Sequence, residues 1–260
     1  MDVTLALALT AFAGAATALG GLAAVHWWVR SDTELAAALG FAAGAMLLVS
    51  VVEIIPKGAS GLAGGLGAQS AWVVTLALVA AGAAVTGLLA HRLARHGVAP
   101  ERDESDVRRQ RLVRSGAVVA CAVAAHNLPE GLATFVTTLD DPQAGVAVAV
   151  AIAVHNVPEG VAVAAPFFGA GLGRAKAFGA AALSGLAEPV GALLGYLLLV
   201  ALLPPAAFAV VFGAVAGIML HIALTELLPM ARRLSTMATA SASFVAGAGT
   251  MGASLVLLNL

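Results

Sequence analysis

The chain has 260 residues, of which 61% are hydrophobic and only 10% carry a charged side chain. Soluble domains have roughly a quarter charged residues, so this composition, with a mean hydropathy of +0.99, excludes an ordinary soluble protein and indicates a polytopic helical protein in the lipid bilayer. The net charge of −1 argues against a nucleic-acid partner.

Apolar runs separated by charged, Pro and Gly residues predict eight membrane spans. Each is at or near the ~20 residues that a helix needs to cross the hydrocarbon. Their approximate bounds are 3–27, 35–55, 70–92, 114–138, 143–167, 175–201, 206–230 and 238–258. The first run lacks a basic start and is too long for a signal peptide, so no cleavable leader is expected. We therefore expect one all-α transmembrane domain over residues 1–260.

Basic residues fall almost entirely on one side of these spans. The loops after the first, third, fifth and seventh spans contain twelve of the thirteen Lys and Arg residues, and the opposite loops contain only Lys57. The positive-inside rule therefore places both termini outside the cytoplasm. The charged segment 93–113 is predicted to be a mobile cytoplasmic loop. The Gly- and Ala-rich residues 56–70 predict a flexible outer loop.

A short pattern in the second span returns in the seventh. With every position shifted by 173, Gly44–Leu47, Glu53 and Pro56 become Gly217–Leu220, Glu226 and Pro229. The two spans run in opposite directions, so the pattern indicates an inverted-topology repeat. Glu53 and Glu226 would lie at opposite mouths of a cation pathway, or they would simply cap their spans near the headgroups.

Two other residues on these spans have equally open roles. Met46 is a packing residue or a thioether contact for a soft metal. His221 is a pathway ligand or a satisfied polar contact.

The fourth and fifth spans contain the same motif. His126-Asn127-Leu128-Pro129-Glu130-Gly131 returns 29 residues later as His155-Asn156-Val157-Pro158-Glu159-Gly160. Ionisable groups are expensive inside a membrane and indicate function. His and Glu four residues apart share one helix face. Two such helices facing each other would offer imidazole, carboxylate and amide ligands to zinc, with iron, manganese, cobalt or cadmium as alternatives.

The sixth span adds a third acid, Glu188, which is followed directly by Pro189. With Glu130 and Glu159 it supplies enough carboxylate to bridge two metal ions. The alternative is a His–Glu hydrogen-bond network that only fixes the helix register.

Eight spans with outer termini, the paired H-N-x-P-E-G and the E-P of the sixth span resemble the ZIP (ZRT/IRT-like) family of divalent-metal transporters. The likeness covers the whole chain and is greatest for the bacterial zinc-uptake and GufA-like branches. It implies a 3+2+3 helix arrangement with inverted outer repeats and a binuclear centre between the fourth and fifth spans. It also implies metal movement into the cytoplasm across the inner (plasma) membrane.

The resemblance implies a role for each motif residue. It assigns His126, Glu130 and Glu159 to a primary metal site. It assigns Asn127, Glu130, Asn156, Glu159 and Glu188 to a second site. Met46 matches a further ligand position and Glu226 an inner-pathway acid. His155 and Asn156 occupy positions that vary in the family, and an Asn in place of Asp removes one charge from the second site.

The expectation is an uptake transporter that works by alternating access, with no cofactor beyond the transported metal and no enzymatic activity. The rivals are an intramembrane zinc metalloenzyme, although no H-E-x-x-H is present, and a metal sensor that binds without translocating. Formation of a homodimer is left open.

Overall fold

The computed structural model describes residues 2–95, 104–198 and 205–257. These residues form helices joined by short turns, with no strand among them. Eight of the helical stretches are long and apolar enough to cross a membrane: Val3–Trp27, Asp32–Leu66, Ala68–Arg92, Glu104–Leu139, Pro142–Gly169, Arg174–Leu197, Ala209–Leu234 and Met237–Leu257. The prediction of an all-α protein with eight spans is confirmed, and the side on which the termini lie stays a prediction.

Several spans are built from more than one helical element. The α-helices are α1 (Val3–Ala23), α2 (Asp32–Val49), α3 (Ile55–Leu66), α4 (Ala68–Arg95), α5 (Glu104–Asp140), α6 (Pro142–Gly169), α7 (Arg174–Gly185), α8 (Ala187–Leu198), α9 (Pro205–His221), α10 (Leu228–Leu234) and α11 (Met237–Leu257). Three π-helical segments, Ala24–Trp28, Ser50–Ile54 and Ile222–Leu227, continue α1, α2 and α9.

Capping residues explain where the central helices begin and end. The Asp141 side chain accepts hydrogen bonds from the backbone N–H groups of Gln143 (2.8 Å) and Ala144 (3.3 Å). Pro142 occupies the first turn of α6, where its missing N–H costs nothing. A single residue thus separates α5 from α6, which forces these two long helices to lie side by side.

The predicted outer loop 56–70 is wrong, because residues 55–66 form α3 and Gly67 alone separates α3 from α4. Pro56 lies in the first turn of α3, where proline is compatible with a helix. Gly61 allows α3 to pack against Ala209 of α9. Gly67 ends the helix with a φ of 75°, which glycine adopts without strain.

The segment 93–113 is also more helical than predicted. Helix α4 continues to Arg95 and α5 already begins at Glu104, while residues 96–103 lie outside the described part of the chain. Glu104 and Asp106 lie in the first turn of α5, where acidic side chains favour a helix start. The cytoplasmic location of this segment stays a prediction.

The spans pack as two bundles of four. We call α1, α5, α6, α7 and α8 the site bundle, and α2, α3, α4, α9, α10 and α11 the flanking bundle. The bundles meet mainly where α2 packs against α6. An ion pair between Arg108 of α5 and Asp32 of α2 also joins them.

Close helix crossings in the flanking bundle show the inverted repeat directly. A Cβ atom on Gly44 of α2 would overlap the carbonyl of Phe244 in α11. A Cβ atom on Gly217 of α9 would overlap the carbonyl of Val79 in α4. The two glycines are 173 positions apart and the two carbonyls 165, so the crossings are equivalent partners in the repeat. Small residues here let the helix backbones touch.

The site bundle has matching crossings of its own. A Cβ atom on Gly20 of α1 would overlap the Val157 carbonyl of α6, and one on Gly191 of α8 would overlap the Leu128 carbonyl of α5. Gly20 and Gly191 are 171 positions apart, and Leu128 and Val157 differ by the 29 positions of the twin motif. The first and sixth spans are therefore equivalent positions in the inverted repeat. The same repeat relates the motif in α5 to the motif in α6.

Candidate metal centre

The twin motifs meet as two His–Glu pairs that cross between helices. The Nε2 atom of His126 in α5 lies 3.0 Å from Oε2 of Glu159 in α6. The Nε2 atom of His155 in α6 lies 3.5 Å from Oε2 of Glu130 in α5. All four side chains are buried. Sequence spacing placed His and Glu on a common face of each helix, and the structure pairs each His with the Glu of the other copy.

Two glycines of the motifs allow the neighbouring helices to reach this centre. A Cβ atom on Gly131 would overlap the backbone of Glu188 in α8, and one on Gly160 would overlap the carbonyl of Thr17 in α1. Helices α5 and α6 both continue through the prolines of their motifs. The final Gly of each motif therefore serves helix packing directly beside the His–Glu pairs.

The two motif asparagines make equivalent hydrogen bonds. The Asn127 side-chain amide donates to the carbonyl of Ser184 at 3.2 Å, and that of Asn156 donates to the carbonyl of Ala13 at 2.9 Å. The two carbonyls are 171 positions apart, as the repeat requires. Each bond fixes its amide group and leaves Oδ1 buried without a hydrogen-bond partner, so both oxygens are available as ligands.

Sequence reasoning missed the backbone carbonyls of Ala13 and Ser184. The signal that could have found them is the shift of 171 positions that relates Gly14 to Gly185 and Gly20 to Gly191.

Glu188 joins the centre through Asn156. Its carboxylate accepts a hydrogen bond from the Asn156 amide through Oε1, while Oε2 is buried without a partner. The sixth span is interrupted between α7 and α8, at Leu186, and Glu188 lies in the first turn of α8.

The buried polar atoms suit a cation. The buried oxygens with neither a hydrogen-bond partner nor an ion-pair partner include Oδ1 of Asn127 and Asn156, Oε1 of Glu159 and Oε2 of Glu188. None of the described Lys and Arg residues is buried. Buried carboxylates require a cation, a proton or hydrogen bonds, and unpartnered buried acceptors are rare in proteins. Imidazole and carboxylate ligands fit zinc and related divalent metals.

The side chains do not form a closed ligand cage. Across residues 2–95, 104–198 and 205–257, no group of three or more His, Cys, Asp and Glu side chains is arranged to hold a metal ion. The observed arrangement is two facing pairs with the Asn156–Glu188 bond beside them. The predicted binuclear centre stays a prediction.

A cavity of about 350 Å³ lies between the two bundles and leads to one of the pairs. The flanking bundle lines it with Glu53, Lys57 and Phe212, and the site bundle lines it with Glu130 and His155. Much of the remaining wall is apolar. Glu53, predicted to lie at a pathway mouth, therefore shares a cavity with the His155–Glu130 pair. Lys57 was not predicted to take part.

The other predicted pathway residues do not line this cavity. Met46 is buried in the hydrophobic core. The His221 ring faces Gly87 of α4, where a Cβ atom would lie 3.0 Å from the ring carbon Cε1. Glu226 is buried in the π-helical segment Ile222–Leu227. Shifted by 173 positions, this segment matches the π-helical segment Ser50–Ile54, which contains Glu53. Both glutamates therefore lie in π-helical turns, which are frequent at functional sites.

Known proteins similar to this chain agree with the geometry. The family described as ZIP Zinc transporter matches residues 91–255. The chain is 43% identical to the zinc transporter ZupT of Chlorobium chlorochromatii, over 99% of both proteins. It is 45% identical to that of Corynebacterium efficiens, over 98% of both. It is 44% identical to that of Lysinibacillus sphaericus, over 99% of this chain and 98% of the relative.

These relatives and the eight apolar spans make the chain a multi-pass protein of the bacterial plasma membrane. The twin motifs and Glu188 lie within the matched segment, residues 91–255, and the full-length identities extend the relationship to both ends of the chain. The chain belongs to the ZIP zinc transporter family.

Proposed function

We propose that this chain takes up divalent transition metals, zinc first, and delivers them to the cytoplasm by alternating access. The crossed pairs His126–Glu159 and His155–Glu130 are the observation that carries this proposal. They present nitrogen and oxygen ligands to a cation at membrane depth, where such groups are otherwise costly. The similar proteins named zinc transporters support zinc as the first substrate. Iron, manganese, cobalt and cadmium remain candidate substrates of the same ligand set.

The proposed route begins at Glu53 and follows the cavity to Glu130 and His155. There the ion exchanges its water for His, Glu and Asn ligands. It leaves towards the cytoplasm past Glu226, the repeat partner of Glu53. Movement of the site bundle against the flanking bundle would open the two mouths in turn, because the cavity lies between the bundles.

Two rival functions use the same ligands. An intramembrane metalloenzyme needs an open coordination position and a substrate cleft, and a sensor needs binding without transport. The proposal includes no enzymatic role and no cofactor beyond the transported metal; the relatives' names favour transport over both rivals. The lipid bilayer is the proposed environment. A homodimer is also proposed. Exposed apolar side chains of α4, such as Trp72 and Val73, form a surface that either lipid or a second copy of the chain can cover.

Flux through the purified protein tests the proposal. Proteoliposomes that contain a zinc-sensitive dye should report zinc entry for the wild type, and Glu130→Ala should lower the rate by at least about tenfold, as loss of metal-site groups does elsewhere. Asp106→Ala removes an exposed carboxylate from the same helix and should leave the rate unchanged. Zinc binding without flux in the wild type would favour the sensor and contradict the proposal.

Metal preference is tested by competition. In the same assay, iron, manganese, cobalt and cadmium should each slow zinc entry according to their fit to the site. His155→Gln replaces an imidazole by an amide in the pair that faces the cavity. We expect this change to lower the affinity for zinc relative to that for manganese, because imidazole suits zinc and carbonyl oxygen suits manganese.

A further inference from the structure

An ion pair stands in the cavity that leads to Glu130 and His155. The Nζ atom of Lys57 lies 2.5 Å from Oε1 of Glu53. The Lys57 side chain is 48% exposed, whereas that of Glu53 is only 11% exposed. An ammonium group therefore already occupies the carboxylate that an entering cation would meet before the His155–Glu130 pair.

The ion pair with Lys57 uses only one of the two carboxylate oxygens of Glu53. Oε2 of Glu53 is buried and has no hydrogen-bond partner, while Oε1 binds the ammonium from the exposed side. A metal ion that binds Glu53 would lie within a few ångströms of the Lys57 charge. Like charges at such a distance repel strongly near a protein surface, so the metal and Lys57 cannot share Glu53 favourably.

In the inverted repeat, only one of the two equivalent glutamates, Glu53, is followed four residues later by a lysine. The position that corresponds to Lys57, shifted by 173, is Met230, four residues after Glu226. The two glutamates are equivalent in the repeat, and their neighbours are an ammonium group in one case and a thioether in the other. Substitution of Lys57 by Met therefore gives the Glu53 mouth the chemistry that the protein already has beside Glu226.

Resting on the proposed function, we propose that Lys57 is a specificity-determining residue that competes with entering cations for Glu53. A divalent ion displaces the tethered ammonium more readily than a monovalent ion, because its attraction to a carboxylate is about twice as strong at the same distance. Lys57 thus keeps sodium and potassium from Glu53, and it raises the zinc concentration that half-saturates uptake.

Initial rates of zinc uptake into proteoliposomes test this role. Lys57→Met should lower KM for zinc by about two- to fivefold, the range expected for an ion pair that is partly exposed, with kcat unchanged. Lys57→Arg keeps the charge and should keep the wild-type KM. In a Glu53→Gln background, Lys57→Met should no longer change KM, because the carboxylate for which the two cations compete is gone.

A second measurement separates competition from the general charge of the mouth. At constant ionic strength, potassium in place of the bulky cation choline should slow zinc uptake by Lys57→Met more than by the wild type. Equal potassium sensitivity of the two proteins would overturn the proposal, even if Glu53→Gln were too slow to assay. A rise in KM for zinc in Lys57→Met would also overturn the proposal. So would a fall in KM that is equally large when Lys57→Met is introduced into the Glu53→Gln background.

Failure of this role is distinct from failure of the proposed function. No zinc flux in the wild type contradicts transport itself. Wild-type flux with an unchanged KM in Lys57→Met contradicts only the role of Lys57. Because Lys57 is half exposed and Met is a good helix former, the variant should fold, and its elution from a sizing column checks this.

Discussion

His126 and Glu159 belong to different copies of the twin motif, yet their side chains face each other with 3.0 Å between Nε2 and Oε2. The reciprocal pair, His155 and Glu130, is separated by 3.5 Å. Neither copy of the motif is therefore complete without the other. The duplication provides two half-sites on neighbouring helices that meet across one interface.

The crossed pairing predicts which residues are energetically coupled. In the presence of a chelator, a double-mutant cycle of His126→Ala and Glu159→Ala should show a coupling of about 0.5–3 kcal/mol, as for side chains in contact. The cycle of His126→Ala and Glu130→Ala should show less. Thermal unfolding in detergent measures both. Stronger coupling within one helix than between the two would contradict the pairing.

The bonds of Asn156 predict a metal-dependent variant. Asn156→Asp places a carboxylate against both the Ala13 carbonyl and Glu188, so without metal it should lose about 1.5–3 kcal/mol of stability, the scale of a hydrogen bond to a charged group. Zinc should restore more stability to this variant than it adds to the wild type, because a cation relieves the repulsion. Thermal unfolding with chelator and with zinc measures both effects.

Asn127→Asp is the matched control for that variant. Its amide donates to a backbone carbonyl, and none of the hydrogen bonds resolved in the described residues links it to a second carboxylate. The loss of stability should therefore be smaller and the response to zinc weaker. Equal losses for the two variants would show that the Asn156–Glu188 bond does not set the effect.

The close crossing of α1 and α6 predicts a strict need for glycine. Gly160→Ala drives a methyl group into the Thr17 carbonyl and should destabilise the protein by about 1–3 kcal/mol, as overpacking does in cores. Gly249→Ala, in α11, meets nothing within 4 Å and should be neutral or slightly stabilising, since Ala favours helix. The melting temperatures of the two variants, each compared with that of the wild type, test this prediction.

The predicted sidedness can be tested with single cysteines. Cys121 is the only cysteine, so Cys121→Ser gives a blank background. Lys57→Cys should react with a membrane-impermeant maleimide added to whole spheroplasts. Arg233→Cys should react only after lysis. The reverse labelling would invert the topology and would place the cavity mouth at Glu53 on the cytoplasmic side.

Much of the fold could be predicted from the sequence because lipid imposes simple rules. Composition and apolar length predict eight spans, and the shift of 173 positions between Glu53 and Glu226 predicts the inverted repeat. The residues of the centre were predictable for a related reason. Histidine and glutamate are so costly inside a membrane that their presence at 126, 130, 155 and 159 already indicates a site.

Partners across helices were not predictable in the same way. The crossing of His126 with Glu159 depends on the relative rotation of α5 and α6, which spacing within one helix does not contain. The bond from Asn156 joins the first and fifth spans through the backbone carbonyl of Ala13, whose position the shift of 171 residues could suggest but whose partner it does not identify. The sequence does not predict the helix at 55–66, because glycine-rich segments favour loops, whereas Gly61 here serves packing against α9.

The π-helical segment Ser50–Ile54 sets the phase of everything that follows it in the second span. A π turn contains one residue more than an α turn, so α3 is turned by about 100° from the direction that an unbroken helix would give it. Deletion of one residue here would rotate the last third of the span, α3, around its axis and carry Lys57 away from the cavity. The same holds for α10 after Ile222–Leu227. At these two points the number of residues matters as much as their identity.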